Sequence, residues 1–400
     1  MATDSPSVFQ IGFARGSPAL VKATRSVMIR PSSTPRIMDR VTLDDLRRAA
    51  VTRSLFTPTT LQHALDVFGF VQADPIRSPA RAQDLMLRHR VTGYRAGDLE
   101  RRYADLDVHE DVLVNYGFVT GPVQALMHPR GGPAPWTAAR GRHVPALLEF
   151  IRARGAVHPR EVGEHFSHGT VTNYWGGLSS ATTHLMDGMH YRGLLRVLRR
   201  EAGIRIYAVR EQNPAAPDAA ARRARLDALL DVVVGKYAPL PAASLSMLVR
   251  RLRYAVPQWT GELDRALQRA KRRLVHARVD GVDWYWPADE GPAPVEADDR
   301  VRLLAPFDPV VWDRRRFEIL WRWAYRFEAY TPVRKRKLGY YALPLLWRDR
   351  VIGWGNLSLN DGTLRAEFGY VAGRPPRVRA FCRALEDELA AIRLFLGLGS

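Results

Sequence analysis

Two side chains able to work on one water molecule stand two residues apart in GFVQADPIRSPARAQDLML, residues 69–87: Gln72 and Asp74, separated by Ala73. In an extended segment, successive side chains leave opposite faces, so Gln72 and Asp74 project together while Val71 and Ala73 face the other way. Pro75 supports that geometry, because the residue before a proline is biased toward extended backbone. A carboxylate can take a proton from water while an amide oxygen orients it, which is what a hydrolase needs. The same residues admit a plainer account. Asp before Pro is a common turn residue, and Gln is ordinarily just solvated. Spacing alone leaves both readings open.

Other residue types narrow the chemistry. HEDV places His109 beside Glu110, either a functional pair or a cap and ion-pairing carboxylate. His128 precedes Pro129 and reads as a structural turn residue. The 11 His residues never fall at metal-ligand spacing with Cys, and no HExxH occurs. The one cysteine, Cys382, excludes an internal disulfide framework and a Cys-based zinc site. No metal and no cofactor are expected, and the cysteine usage suits a reducing cytoplasm.

Charge points to the partner. Sixty Lys+Arg against 41 Asp+Glu leave +19, a surface that attracts polyanions, nucleic acid foremost. No apolar run approaches the roughly 18 residues of a membrane span, so no membrane partner is expected. The basic residues cluster: Arg77, Arg81, Arg88 and Arg90 near the motif; Arg192, Arg196, Arg199 and Arg200; Arg314, Arg315 and Arg316; and Arg334 to Lys337. In RKRKLGYY, cations mixed with tyrosine, including Tyr340, suit phosphate contact plus stacking. Elsewhere a solvated face is the alternative. WRWAYRF, Trp321 to Phe327, reads as core.

The elements that must position these residues follow from periodicity and punctuation. VTLDDLRRAAVTRSL is helical, capped by Thr42 or Asp44. A second helix follows Pro58 and ends at Gly69, and Ser78-Pro79 reads as the cap and first turn of a third. HVPALLEFIRARG, VHPREVGEHF and SSATTHLMDGMHYRGLLRVLRR are three more helices, followed by strand, Ala202-Gly203 turn and strand, the order of a winged helix. A third, looser unit ends in a hairpin at Asp280-Gly281. The last segment carries short β-like runs, a hairpin at Asp361-Gly362 and a closing amphipathic helix. The expected fold is α+β: tandem winged helices, then an antiparallel β-barrel or sheet with a terminal helix. The expected domains are a disordered leader 1–39, a first winged-helix-like domain 40–135 bearing the Gln-x-Asp motif, a second winged helix 140–212, a third 222–290, and the C-terminal β domain 298–400.

The motif, extended through DPIRSPARAQDLMLRHRV and YRAGDLERRY, together with LLAPFDPVVWDRRR and YRFEAYTPVRKRKLGYYALPLLWRDRVIG, resembles the winged-helix family of AlkZ/YcaQ-like crosslink-repair DNA glycosylases. The likeness runs from about residue 40 to the end, and the YcaQ-like branch carries Gln, a hydrophobic residue and Asp, matched by Gln72, Ala73 and Asp74. That resemblance implies tandem winged helices with a C-terminal β-barrel around a basic cleft for double-stranded DNA. It implies metal-free excision of N7-alkylated guanine by a monofunctional glycosylase, crosslink unhooking included. Asp74 becomes general base and electrostatic stabiliser, and Gln72 positions the water. His109 and Glu110 become support for the site. Arg77, Arg81, Arg314, Lys335, Arg336 and Tyr340 become DNA contacts, with Lys335 and Arg336 matching a family Lys-Arg pair. A monomer acting in the bacterial cytoplasm at the nucleoid is the corresponding expectation.

The chain departs from the family at IGWGNLSLNDG, where Trp354 and Asn356 replace expected charged residues, and at Leu338, where relatives often carry Tyr. The competing class is a non-catalytic winged-helix DNA-binding protein or transcriptional regulator, which shares the charge and repeats but has no need of the Gln–Asp pair. An RNA-binding module preferring single strands is a third reading.

Overall fold

The computed structural model describes residues 41–130, 141–166, 169–172, 178–211, 215–289 and 298–399, with the side chains of 172, 178 and 179 excepted. The expected leader, 1–39, lies outside the described residues. The chain folds as two units stitched from separated segments. Glu100–Leu229 and Val249–Ala266 belong to the first; residues 41–99, Leu230–Leu248 and 267–399 belong to the second.

In the first unit, strands Val108–Val112 and Tyr116–Thr120 form a hairpin that runs directly into helix Gly121–Met127. Helices Val144–Arg154, Pro159–His165 and Ala181–Tyr191 then precede the hairpin Leu195–Glu201 and Ile204–Val209. Local chemistry sets these limits. Gly155 stops the first helix at φ 70°, and the second is boxed at its start by His158 and Glu161. Ala202 and Gly203 both take positive φ, 48° and 87°, as a tight hairpin turn requires. Leu147, Ile151, Val162, Met186, Leu195 and Tyr207 close the core between helices and hairpin. The third helix is shorter than the expected long one. It ends at Tyr191, because Gly193 turns the chain at φ 76° and Leu195–Glu201 is strand.

The second unit begins with helix Leu43–Ser54, held by a capping box between Thr42 and Asp45. Helix Leu61–Phe68 follows, capped by Thr60 and ended by Gly69 at φ 62°. Strand Phe70–Gln72 comes next. The expected start of the third helix at Ser78-Pro79 is a correction: helix Ala82–Leu87 starts three residues later, with Arg81 at its cap. The backbone first folds on itself, Ser78 N–H donating to the Ala80 carbonyl, so regular helical bonding begins only at Arg81.

Strands Val275–Val279 and Val282–Trp286 turn at Asp280-Gly281 and pair onward to Leu240–Pro241. The C-terminal sheet is an antiparallel row in chain order, Val301–Leu303, Leu343–Trp347, Arg350–Asn360 and Thr363–Tyr370. The pairings among the described residues form an open row of four. The terminal helix Arg379–Leu396 lies on it, its Glu388 carboxylate accepting from Leu303 N–H at 2.7 Å. Phe317, Tyr325, Leu304 and Leu346 are buried in this unit, with Trp321 and Trp323 packed half-buried on them; of WRWAYRF, expected as core, only Tyr325 is fully buried, and Arg322, Ala324 and Arg326 are exposed.

Candidate functional site

Gln72 is the last residue of its strand, and Asp74 lies two residues on, both held between the second and third helices. Both are buried, at 5% and 8% exposure, while Val71 is sealed at 0%. Asp74 is pinned twice. Its N–H donates to Gln83 Oε1 at 3.2 Å, and its own Oδ1 accepts from Ile76 N–H at 2.9 Å. The second bond is an aspartate turn over Pro75, so the plainer reading of the motif is realised in the backbone. It does not exhaust the carboxylate.

Burial lifts the Asp74 pKa to about 6, opposed only by the Ile76 N–H bond. Among the described residues no guanidinium or ammonium stands close enough to draw it back down. The charge of the carboxylate reaches Tyr330 and Tyr341, whose hydroxyl pKa values rise first through burial and then through Asp74. Tyr330, near the carboxylate, is 61% exposed, and Tyr340, beside Tyr330 and Tyr341, is 44% exposed.

Gln72 differs from expectation in which end is free. Its Oε1 accepts the indole N–H of Trp312 at 2.7 Å. One of the two lone pairs of the amide oxygen assigned to orienting water is therefore taken by the protein, and the amino end has no partner among the described residues.

The basic candidates divide. Arg77 is exposed and Arg81 half-buried, both on the stretch leaving Asp74. Lys335 is exposed in the short helical turn Val333–Lys335. Arg336 donates to the Thr331 carbonyl at 2.7 Å and lies over the Tyr340 ring at 5.0 Å, so its guanidinium is held to the loop's surface. Arg314 folds back, donating to the Val311 carbonyl at 2.5 Å and covering the Tyr325 ring at 4.5 Å. Arg90 and Arg316, weighed as phosphate ligands or solvated charges, are neither. Both are 0% exposed: Arg90 grips Asp308 at 2.6 and 3.0 Å, and Arg316 donates to the carbonyls of Pro239 and Pro309 at 2.9 Å.

The loop bearing Lys335 to Tyr340 is fixed from behind by residues that departed from the family pattern. Asn356 Nδ2 donates to the Leu338 carbonyl at 2.7 Å, and buried Glu328 accepts from the backbone of Lys337 and Leu338 at 2.8 and 2.7 Å. Gly339, at φ 119°, leaves room for that asparagine, since a Cβ there would sit 2.3 Å from its oxygen. Trp354 stacks on Trp323 at 5.7 Å and 16°. The positions without charge build the loop's support.

His109 and Glu110 belong to the first unit. His109 is half-exposed, 3.9 Å from Asp107, and burial holds its pKa below the usual imidazole value. Glu110 is sealed in an ion pair: Arg200 Nε and Nη2 both donate to it at 2.6 Å, and Tyr116 hydroxyl donates at 2.5 Å. Those cations and donors outweigh burial and lower its pKa. Asp111 beside it accepts from Arg130 at 2.7 Å and bonds His128 at 2.8 Å, with its pKa held well below the carboxylate range. The carboxylates of Glu110 and Asp111 are thus engaged by neighbouring side chains, and His128, expected as a turn residue, lies against Asp111.

Sequence reasoning missed Trp312, Gln83, Tyr330 and Tyr341. All four lie in stretches that carried the family likeness, Gln83 in DPIRSPARAQDLMLRHRV, Trp312 in LLAPFDPVVWDRRR, and Tyr330 and Tyr341 in YRFEAYTPVRKRKLGYYALPLLWRDRVIG, but as blocks rather than as side chains facing Gln72 or Asp74.

Residues 65–395 match the family described as DNA glycosylase AlkZ-like. Among solved structures, the DNA glycosylase AlkZ of Streptomyces sahachiroi is similar over 90% of this chain and 98% of its own, with a TM-score of 0.57 and 16% identity. That likeness is one of fold. Gln72, Asp74 and the loop 330–341 all fall within the matched span.

Proposed function

The chain belongs to the AlkZ-like DNA glycosylase family, and on that premise we propose that it hydrolyses the N-glycosidic bond of N7-alkylated guanine in double-stranded DNA, interstrand crosslinks included, with Gln72 and Asp74 at the reacting sugar. The observation that carries this reading is the Asp74 carboxylate, buried without a cationic partner among the described residues and raised by burial to a pKa of about 6. A lone buried carboxylate favours a positive ligand. N7 alkylation puts that charge on the base, and departure of the base shifts positive charge to the sugar.

The C1′–N9 bond breaks with its electron pair leaving on the base, which becomes neutral. A water oxygen bonds to C1′, and its proton passes to Asp74. A unit charge about 4 Å from the carboxylate is worth about 4 kcal/mol at an effective dielectric near 20, enough for a roughly thousandfold effect. At neutral pH a carboxyl group titrating near 6 is mostly ionised and is a stronger base than an ordinary one. Tyr330 and Tyr340 offer ring faces and Lys335 a phosphate contact at the rim, with Arg77 and Arg81 on the approach. The helix–helix–helix–hairpin series 144–209 is read as a winged helix, and the partition into modules 40–135, 140–212, 222–290 and 298–400 goes with it. We take the protein to act as a monomer.

The test is release of base from an N7-methylguanine duplex, read as strand breaks after heat or alkali. Breaks that disappear in Asp74→Asn support the reading. Salt-sensitive binding of duplex with no base release from the wild-type chain would return the protein to the non-catalytic class.

A further inference from the structure

We infer that Trp312 is a positioning residue for the glycosylase reaction: it holds the Gln72 carboxamide with its oxygen turned away and its amino group presented for use. The inference deepens the assignment of Gln72 and Asp74 and rests on it. An indole N–H can donate but cannot accept, so only the oxygen end of Gln72 can meet it at 2.7 Å. The direction of the amide is thereby set by chemistry. A glutamine held this way offers two N–H donors to a ligand, with one lone pair of its oxygen already occupied by Trp312.

Trp312 has the means to hold a side chain still. Its ring packs against Tyr237 at 5.0 Å. Its backbone N–H and that of Val311 both donate to the Asp308 carbonyl at 2.8 Å, closing a tight turn. The Asp308 carboxylate accepts from Val310 N–H at 3.0 Å and from both ends of the Arg90 guanidinium. Asp308 and Arg90 are each 0% exposed. The indole is thus tied to a fully buried ion pair, whereas Gln72 has several rotatable bonds of its own. On the opposite side of the same short strand, Lys236 donates to the Phe70 carbonyl, so the backbone under Gln72 is braced as well. With the amino end forward, Gln72 donates to the oxygen of the attacking water while Asp74 takes its proton. Amide and carboxylate then hold opposite ends of one molecule, a division that two acceptors could not make.

The test compares Trp312→Phe, Gln72→Ala and the double variant in single-turnover excision of an N7-methylguanine duplex, with duplex affinity and Tm measured alongside. Trp312→Phe keeps a ring and removes only the N–H. We expect about a tenfold loss of excision rate from it, the scale of one hydrogen bond, with affinity unchanged. In the Gln72→Ala background the same substitution should cost nothing further, because Trp312 acts through Gln72. An independent readout is the indole N–H region of an amide-correlation spectrum of the ¹⁵N-labelled full chain, where Gln72→Ala should shift one of the 10 tryptophan signals strongly. Wild-type excision by Trp312→Phe, a loss that multiplies that of Gln72→Ala, or an unmoved indole spectrum overturns the inference while leaving Gln72 and Asp74 in place. Wild-type excision by Gln72→Ala removes both.

Discussion

Asp74 in one unit and Glu110 in the other are both carboxylates taken out of water, and burial acts on them in opposite company. Among the described residues Asp74 has a backbone N–H and no cation, and burial raises its pKa to about 6. Glu110 has Arg200 across two bonds and a tyrosine hydroxyl, so its pKa falls despite complete burial. A buried charge that is fully answered by its neighbours stabilises the fold and has nothing left for a ligand. One left unanswered costs stability and keeps its field for whatever enters. A perturbed carboxylate is a functional candidate, and the company that perturbs it decides what it has left to offer a ligand.

The comparison breaks most visibly through substitution. Asp74→Asn should lower excision by at least ~100-fold, the scale of a general base, while leaving Tm equal or higher because the penalty for a buried charge is relieved. A matching loss of duplex affinity or of Tm would make Asp74 structural. Glu110→Gln should do the reverse, costing about 1–3 kcal/mol in denaturant unfolding because the partly buried Arg200 loses its charged partner. If that variant loses excision at unchanged stability, Glu110 belongs to the chemistry instead.

Titration sharpens the same contrast. Excision needs ionised Asp74, so its rate should climb about tenfold per unit on the acid limb and flatten above about pH 6. For Glu110 the folded value is depressed, so its contribution to stability is present above the ordinary carboxylate range and lost as pH falls through the lowered value. Wild type and Glu110→Gln should therefore converge in stability on acidification, and parallel curves would show the ion pair to be irrelevant. The smallest effect is at the rim. Lys335→Ala should reduce the salt slope of duplex affinity by about 0.9, one phosphate contact. Arg336→Ala has a second consequence, because that guanidinium also closes the loop through Thr331 and Tyr340.

Much of this was written in local sequence. Helix ends at Thr42, Gly69 and Gly155 and the turns at Ala202-Gly203, Asp280-Gly281 and Asp361-Gly362 fell where capping and turn chemistry put them, since each depends on residues a few positions apart. The candidate pair Gln72 and Asp74 was legible for the same reason. The start of the third helix was not, because the bond from Ser78 to Ala80 competes with helical pairing and no residue type announces it.

The arginine clusters show the limit from another side. Composition could weigh phosphate contact against a solvated face, but Arg90 and Asp308 meet across 218 positions, and only packing turned that cation inward. The direction of the Gln72 amide likewise waits on Trp312, 240 positions away. The sequence by itself determined which groups could act on water and which short turns would hold them. The tertiary structure decided their protonation and orientation, because a pKa and a hydrogen-bond direction are set by everything within a few ångströms, and those neighbours come from anywhere in the chain.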